Sequence, residues 1–195
     1  KMHLKSNKVN VIKILPGGVV TAKDTAEIQL DENGEFVRNP EEDIVKVAVV
    51  ERHQGTGNVA CGFLKGYGIK AGAVALSIAH DSHNIIVVGV SDEEMEFAVN
   101  SLIAQEGGMV LVREGKVLES MPMPIAGLMS DQSGEWVDEK LTAIHAKAYE
   151  ELGIAGDVEP VMTLCFMSLA VIPEVKLTDM GLFDVTTFSF IPVEV

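Results

Sequence analysis

A chain of 195 residues that is 47% hydrophobic, with a mean hydropathy of +0.25, has enough apolar material for one well-cored domain and excludes the disordered and fibrous classes. Fifteen Lys and Arg against 29 Asp and Glu leave a formal charge of −14, which argues against a nucleic-acid backbone or an anionic membrane surface as partner and leaves a small neutral or cationic ligand unopposed. The longest apolar run, Val161 to Ile172, is bounded by Pro160 and Pro173, interrupted by Thr163 and Ser168, and too short to span a bilayer.

The opening KMHLKSNKVN lacks the apolar core of a signal peptide and reads as a tail or linker, as expected of an excised fragment. Val9 to Leu15 and Val19 to Ala22, split by Pro16-Gly17-Gly18, predict two short strands around a turn, and Thr25 to Leu30 predicts an edge strand. Asn33-Gly34 is a hairpin signal. The polar stretch Arg38 to Asp43 then marks a boundary, dividing residues 1–43, a loosely held β extension, from a main domain of residues 44–195.

In the main domain, Val45 to Val50 has the near-continuous apolar character of a strand covered on both faces. Val59 to Leu64, Ala73 to Ala79 and Ile85 to Val90 are further strands, with Gly62, Gly66, Gly68 and Gly72 marking bends. Ser91 with Glu94 forms a capping box for a helix whose apolar stripe is Met95, Ala98, Val99, Leu102 and Ile103, ended by Gly107 and Gly108. Met109 to Val112 and Lys116 to Glu119 flank Glu114-Gly115 as a hairpin. After the proline-punctuated loop from Met121 to Gly127, Asp131 or Ser133 caps a second helix, about Glu135 to Leu152, stopped by Gly153. His145 on that helix reads as a surface histidine. Periodicity does not decide between helix and strand for Val161 to Ile172, and Thr187 to Val195 closes the chain as a strand. Together these elements predict an α+β domain: a layered mixed β-sheet with two long amphipathic helices plus an N-terminal β extension. Cys61 and Cys165 match no zinc or redox spacing and read as buried thiols in a reducing, cytoplasmic setting.

Two junctions between the central strands carry more ionisable groups than packing requires: ERHQGTGN, from Glu51 to Asn58, and HDSHN, from His80 to Asn84. Side chains on loops held by a rigid sheet are the usual carriers of chemistry. His80, Asp81 and His83 are therefore the candidate catalytic groups, with Glu51, Arg52, His53, Ser82 and Asn84 as candidate substrate contacts. If the two flanking strands are adjacent and parallel, both junctions meet at one sheet edge, where ligand crevices form. His80, Asp81 and His83 are also ligand types of a zinc, manganese or iron site, although an i, i+3 spacing aligns them only in a helical turn. Gly55 to Ala60 fits the dinucleotide pattern G-x-G-x-x-G/A after a strand, but the glycines that follow oppose the helix that would hold a pyrophosphate. A small nucleotide-binding domain is the lesser alternative.

The run VAVVERHQGTGNVACGFLKGYGIKAGAVALSIAHDSHNIIVVG, with GLMSD at Gly127 to Asp131, VIPEVKLTDMGLFDV at Val171 to Val185 and the closing FIPV, resembles the C-terminal domain of bacterial adenine deaminase, collinearly from about Val9 to the last residue. The resemblance implies a hydrolase of the amidohydrolase superfamily that converts adenine to hypoxanthine and ammonia in purine salvage. It implies a metal-binding barrel preceding this region, with manganese or iron held mainly by that barrel and none expected in this chain alone. No H-x-H opening motif occurs in the 195 residues, so the chain by itself is expected to be inactive. Its partners would be adenine and its own barrel, with Val9 to Leu30 as post-barrel strands. The domain then either completes the active site through the two charged junctions or serves as a structural or homo-oligomerisation module.

Overall fold

The computed structural model describes residues 1–195. In chain order the elements are β1 (Lys8–Ile14), β2 (Thr21–Glu27), β3 (Gln29–Leu30), β4 (Phe36–Val37), β5 (Ile44–Val50), β6 (Val59–Lys65), β7 (Ala73–Leu76), β8 (Ile85–Gly89), α1 (Asp92–Ala104), β9 (Gly108–Arg113), β10 (Lys116–Pro122), α2 (Gly134–Glu150), α3 (Pro160–Cys165), β11 (Val175–Thr178), β12 (Gly181–Asp184) and β13 (Ser189–Ile191). Eight strands form one mixed sheet in the order β10-β9-β7-β8-β5-β6-β1-β2, in which only β1 and β6 run parallel. A three-stranded sheet, β11-β12-β13, and the small β3-β4 hairpin complete the β structure. The predicted layered mixed sheet with two long helices is the observed architecture.

The apolar runs are continuous because both faces of the central strands are covered. Along β5, Val45, Val47 and Val49 enter the main core while Ala48 enters a second core on the other face; β8 divides in the same way, with Ile86 and Val88 on one side and Ile85 and Val87 on the other. The second core is closed by Met95, Ala98 and Leu102 of α1, whose N-terminus is capped by the Ser91 hydroxyl accepting from the Glu94 N–H at 3.2 Å. The main core is closed by Ile144 and Ala148 of α2, Leu164 of α3, and Val175, Leu177 and Leu182 of the small sheet. Full burial of a Val, Leu or Ile side chain stabilises by about 1.5–3 kcal/mol, so these layers hold the sheet rigid under its loops.

Several elements differ from the sequence expectation. The strand over Ala73 to Ala79 is shorter than expected: it ends at Leu76, and the Ser77 N–H makes one last in-register bond to the Gly108 carbonyl at 3.1 Å before the chain bends away. Val161 to Ile172 is neither one helix nor one strand: α3 occupies only its first residues, with Pro160 at the start and Glu159 as cap. The predicted strand from Thr187 to Val195 shortens to Ser189–Ile191, and the hairpin of β11 and β12 went unpredicted because Lys176 and Asp184 break its apolar pattern. The first strand, expected in a loosely held extension, lies within the main sheet; Ile12 is fully buried in its core and all seven residues of β1 pair with β2.

Candidate functional site

β5 and β8 are neighbours, but antiparallel, with Val50 opposite Ile85. The end of one strand therefore sits beside the start of the other, which brings Glu51 and Asn84 to the same edge; β5 and β7, the strands that lead into the two junctions, run in the same direction but are separated by β8 rather than adjacent. A third loop, from Ile125 to Met129, joins them there.

Arg52 ties the three loops together. Its Nε donates to the His83 carbonyl at 2.6 Å, its Nη2 to the Ala126 carbonyl at 2.9 Å, and its backbone N–H to Asn84 Oδ1 at 3.3 Å. No carboxylate pairs with this guanidinium, and burial lowers its pKa. Gly127, at φ +74°, allows the close approach: a Cβ there would lie 2.9 Å from Arg52 Nη1. Ser77, fully buried, holds that glycine by donating to its carbonyl at 2.5 Å while accepting from the Gly108 N–H at 2.8 Å. Ser77, Ala126 and Gly127 were not singled out by sequence reasoning; the glycine ending the Pro-Met-Pro-Ile-Ala-Gly run was the available signal.

Glu51 is occupied within its own loop. Its carboxylate accepts from the N–H groups of His53, Gln54 and Thr56 at 2.5, 2.7 and 3.0 Å and from the Thr56 hydroxyl at 3.1 Å. These bonds, the Thr56 N–H foremost, pull its pKa down to about 2, so it stays ionised as a loop organiser. His53 Nε2 reaches the Ser82 carbonyl at 2.7 Å, linking the two charged loops a second time. The Gly55–Asn58 segment leads into strand β6 rather than a helix, so the dinucleotide pattern lacks the helix N-terminus that would hold a pyrophosphate; Gly55 and Gly57, both at positive φ, serve the turn.

The HDSH loop faces two ways. The His80 ring lies against Phe166, with ring centroids 4.8 Å apart, and the His80 backbone N–H donates to the Cys165 carbonyl at 2.8 Å. His83 meets the His80 ring edge-on at 5.2 Å and sits at φ 54°. Its Nδ1 is buried and has no hydrogen-bond partner. Burial, then the neighbouring His80 and the Arg52 charge, lower its pKa, which keeps the imidazole neutral at pH 7. Asp81 is exposed and its carboxylate makes no hydrogen bond within the chain, whereas Asn84 is buried.

His145 is not a plain surface residue as its sequence position suggested. It is half-buried, its Nδ1 donating to the Leu141 carbonyl at 2.8 Å and its Nε2 pairing with Glu159, in a small cleft that His80 also lines. No group of three or more His, Cys, Asp or Glu side chains in the chain is placed to hold a metal ion, so these residues do not fit a manganese or iron centre. No helix is long and apolar enough to cross a membrane.

The chain matches the family model described as the adenine deaminase C-terminal domain over residues 18–189. It is 67% identical over 194 residues to adenine deaminase 2 of Desulfotalea psychrophila, 49% identical over 194 residues to the adenine deaminase of Ligilactobacillus salivarius, and 49% identical over 193 residues to adenine deaminase 2 of Carboxydothermus hydrogenoformans. The matches cover 99–100% of this chain and 34% of each relative, so the chain spans about a third of their length. A model covering most of the chain and relatives matched across its whole length agree: the chain belongs to the adenine deaminase C-terminal domain family.

Proposed function

We propose that this chain is the C-terminal portion of an adenine deaminase, in which adenine and water give hypoxanthine and ammonia, and that its Arg52-clamped loop edge covers the active site of the barrel portion. The observation that carries this reading is His83: a neutral imidazole whose buried Nδ1 has no partner, on a loop held by Arg52 and His53. An unsatisfied buried polar atom is costly, and a ring nitrogen of the substrate or a bound water would supply the missing partner. Asp81, exposed and unpaired, is the second group free to act. Arg52, His53 and Asn84 position the loop, and Glu51 shapes its neighbour. Manganese or iron would belong to the barrel, since this chain offers no cluster for either. A cytoplasmic location and a role in purine salvage follow from the same reading.

The test uses the full-length parent. Asn tolerates positive φ better than Ala, so His83→Asn suits a residue at φ 54°. Turnover is expected to fall roughly a hundredfold, as for a proton-transfer group, with the melting temperature unchanged. A variant that melts early but keeps its turnover per folded molecule would make His83 a structural residue. The same assay compares parent and isolated chain: the parent deaminates adenine and the 195-residue chain does not. The second reading, a structural or oligomerisation module, draws on the internal use of Glu51, Arg52 and His53, each spent on backbone groups. Unchanged turnover would favour it.

A further inference from the structure

On the α1 side of the main sheet, two covers leave a strip of strand surface bare. Met95, Ala98 and Leu102 of α1 pack over β7, β8 and β9, while Met2, Leu4 and Phe36 cover Ile44 and Phe63. Between these covers the same-face pairs Ala48 with Cys61 and Val50 with Val59 form the floor of a groove of about 380 Å³. β6 is an interior strand of the sheet, yet Val59 is 56% exposed. A sheet that is antiparallel in all but one pairing is able to leave part of a face to solvent, so the exposed Val59 marks a contact only where further polypeptide is available to cover it. The groove is also lined by Lys1 and by Lys46, Asp92, Glu93 and Glu96, with Asp92 paired to Lys46 at 2.6 Å.

The relatives are about three times as long as this chain, and the matched family model is that of a C-terminal domain. We propose that the polypeptide preceding Lys1 in the full-length deaminase runs along this groove and buries Val50, Val59 and Cys61. The inference rests on the reading above that the chain is part of a longer enzyme. The chain direction supports it, because Lys1 is itself part of the wall and the preceding residues enter there. The floor takes apolar side chains; Asp92 is already paired with Lys46 at 2.6 Å, which leaves Glu93 and Glu96 of α1 as the carboxylates that favour a lysine or arginine beside them. The groove is thus the seat of the domain's own linker, which fixes the orientation of the Arg52-clamped edge relative to the barrel.

The test is a photo-crosslinking amino acid, p-benzoylphenylalanine, at position 59 of the full-length protein, with mass spectrometry of the product. An intrachain crosslink to the segment immediately preceding Lys1 is expected. A crosslink to a second copy, to a distant part of the barrel, or none at all would overturn the proposal. Cys61 supplies a readout without substitution at the groove: maleimide labelling is expected to be at least tenfold slower in the full-length protein than in the 195-residue chain. Equal labelling rates would overturn the proposal. A parent that fails to deaminate adenine but shows the crosslink would reject the functional reading and leave the groove assignment standing.

Discussion

Lys176 offers a quantitative check on the packing of the small sheet. The residue is fully buried on β11, its Nζ donating only to the Val19 carbonyl at 2.8 Å, with no carboxylate beside it. Burial lowers its pKa from 10.5 to about 8. At about 1.36 kcal/mol for each pH unit, that drop corresponds to about 3 kcal/mol of folding free energy. The sign follows from proton counting. Between about pH 8 and 10.5 the unfolded chain holds a proton here that the folded chain has released, so this residue makes stability rise with pH across that window; below about 8 the penalty of the buried ammonium is present in full. Lys176→Met removes the penalty and loses one hydrogen bond, which costs about 1 kcal/mol. The variant is therefore expected to be more stable than wild type at pH 7 by up to about 2 kcal/mol, and to lose that advantage by pH 10.5. Cys61, Cys165 and Tyr67 all have raised pKa values and oppose this trend in both proteins, so the difference between them isolates Lys176. Urea denaturation at half-unit intervals from pH 7 to 10.5 measures it. A difference that stays constant across that range would refute the reasoning.

Two further outcomes test the architecture. Ser77→Ala leaves the Gly108 N–H and the Gly127 carbonyl without their side-chain partner, so a loss of about 2 kcal/mol or more is expected in urea denaturation; a change under 0.5 kcal/mol would mean that the third loop does not depend on this hydroxyl. Proteolysis between Asn33 and Glu41 bears on the division at residue 43. Because β1 carries Val9, Val11 and Ile12 into the core, the two nicked pieces are expected to stay together on native gel filtration and separate only in denaturant, and a piece that leaves on its own would restore the loosely held extension.

How much of this was legible in the sequence depended on the range of the interaction involved. Period and capping are local, so α1 with its Ser91 cap, α2 and the hairpin at Glu114-Gly115 were readable from neighbouring residues, while the choice of Ser133 over Asp131 as the α2 cap was settled only by the structure. The continuous apolar runs of β5 and β8 likewise announced strands covered on both faces, and the charged junctions ERHQGTGN and HDSHN stood out because packing gives no reason for them. Strand order and direction were not readable. The antiparallel pairing of Val50 with Ile85 could not be read, since a buried run has the same composition whichever way its neighbour points. Pairing also decided what each candidate residue does. Glu51 and Arg52 are adjacent in sequence, yet one closes its own loop while the other reaches Ala126, 74 residues away. Side-chain identity fixes which bonds a residue is able to make; only the tertiary arrangement fixes which partners are near, and it left the buried Nδ1 of His83 without one.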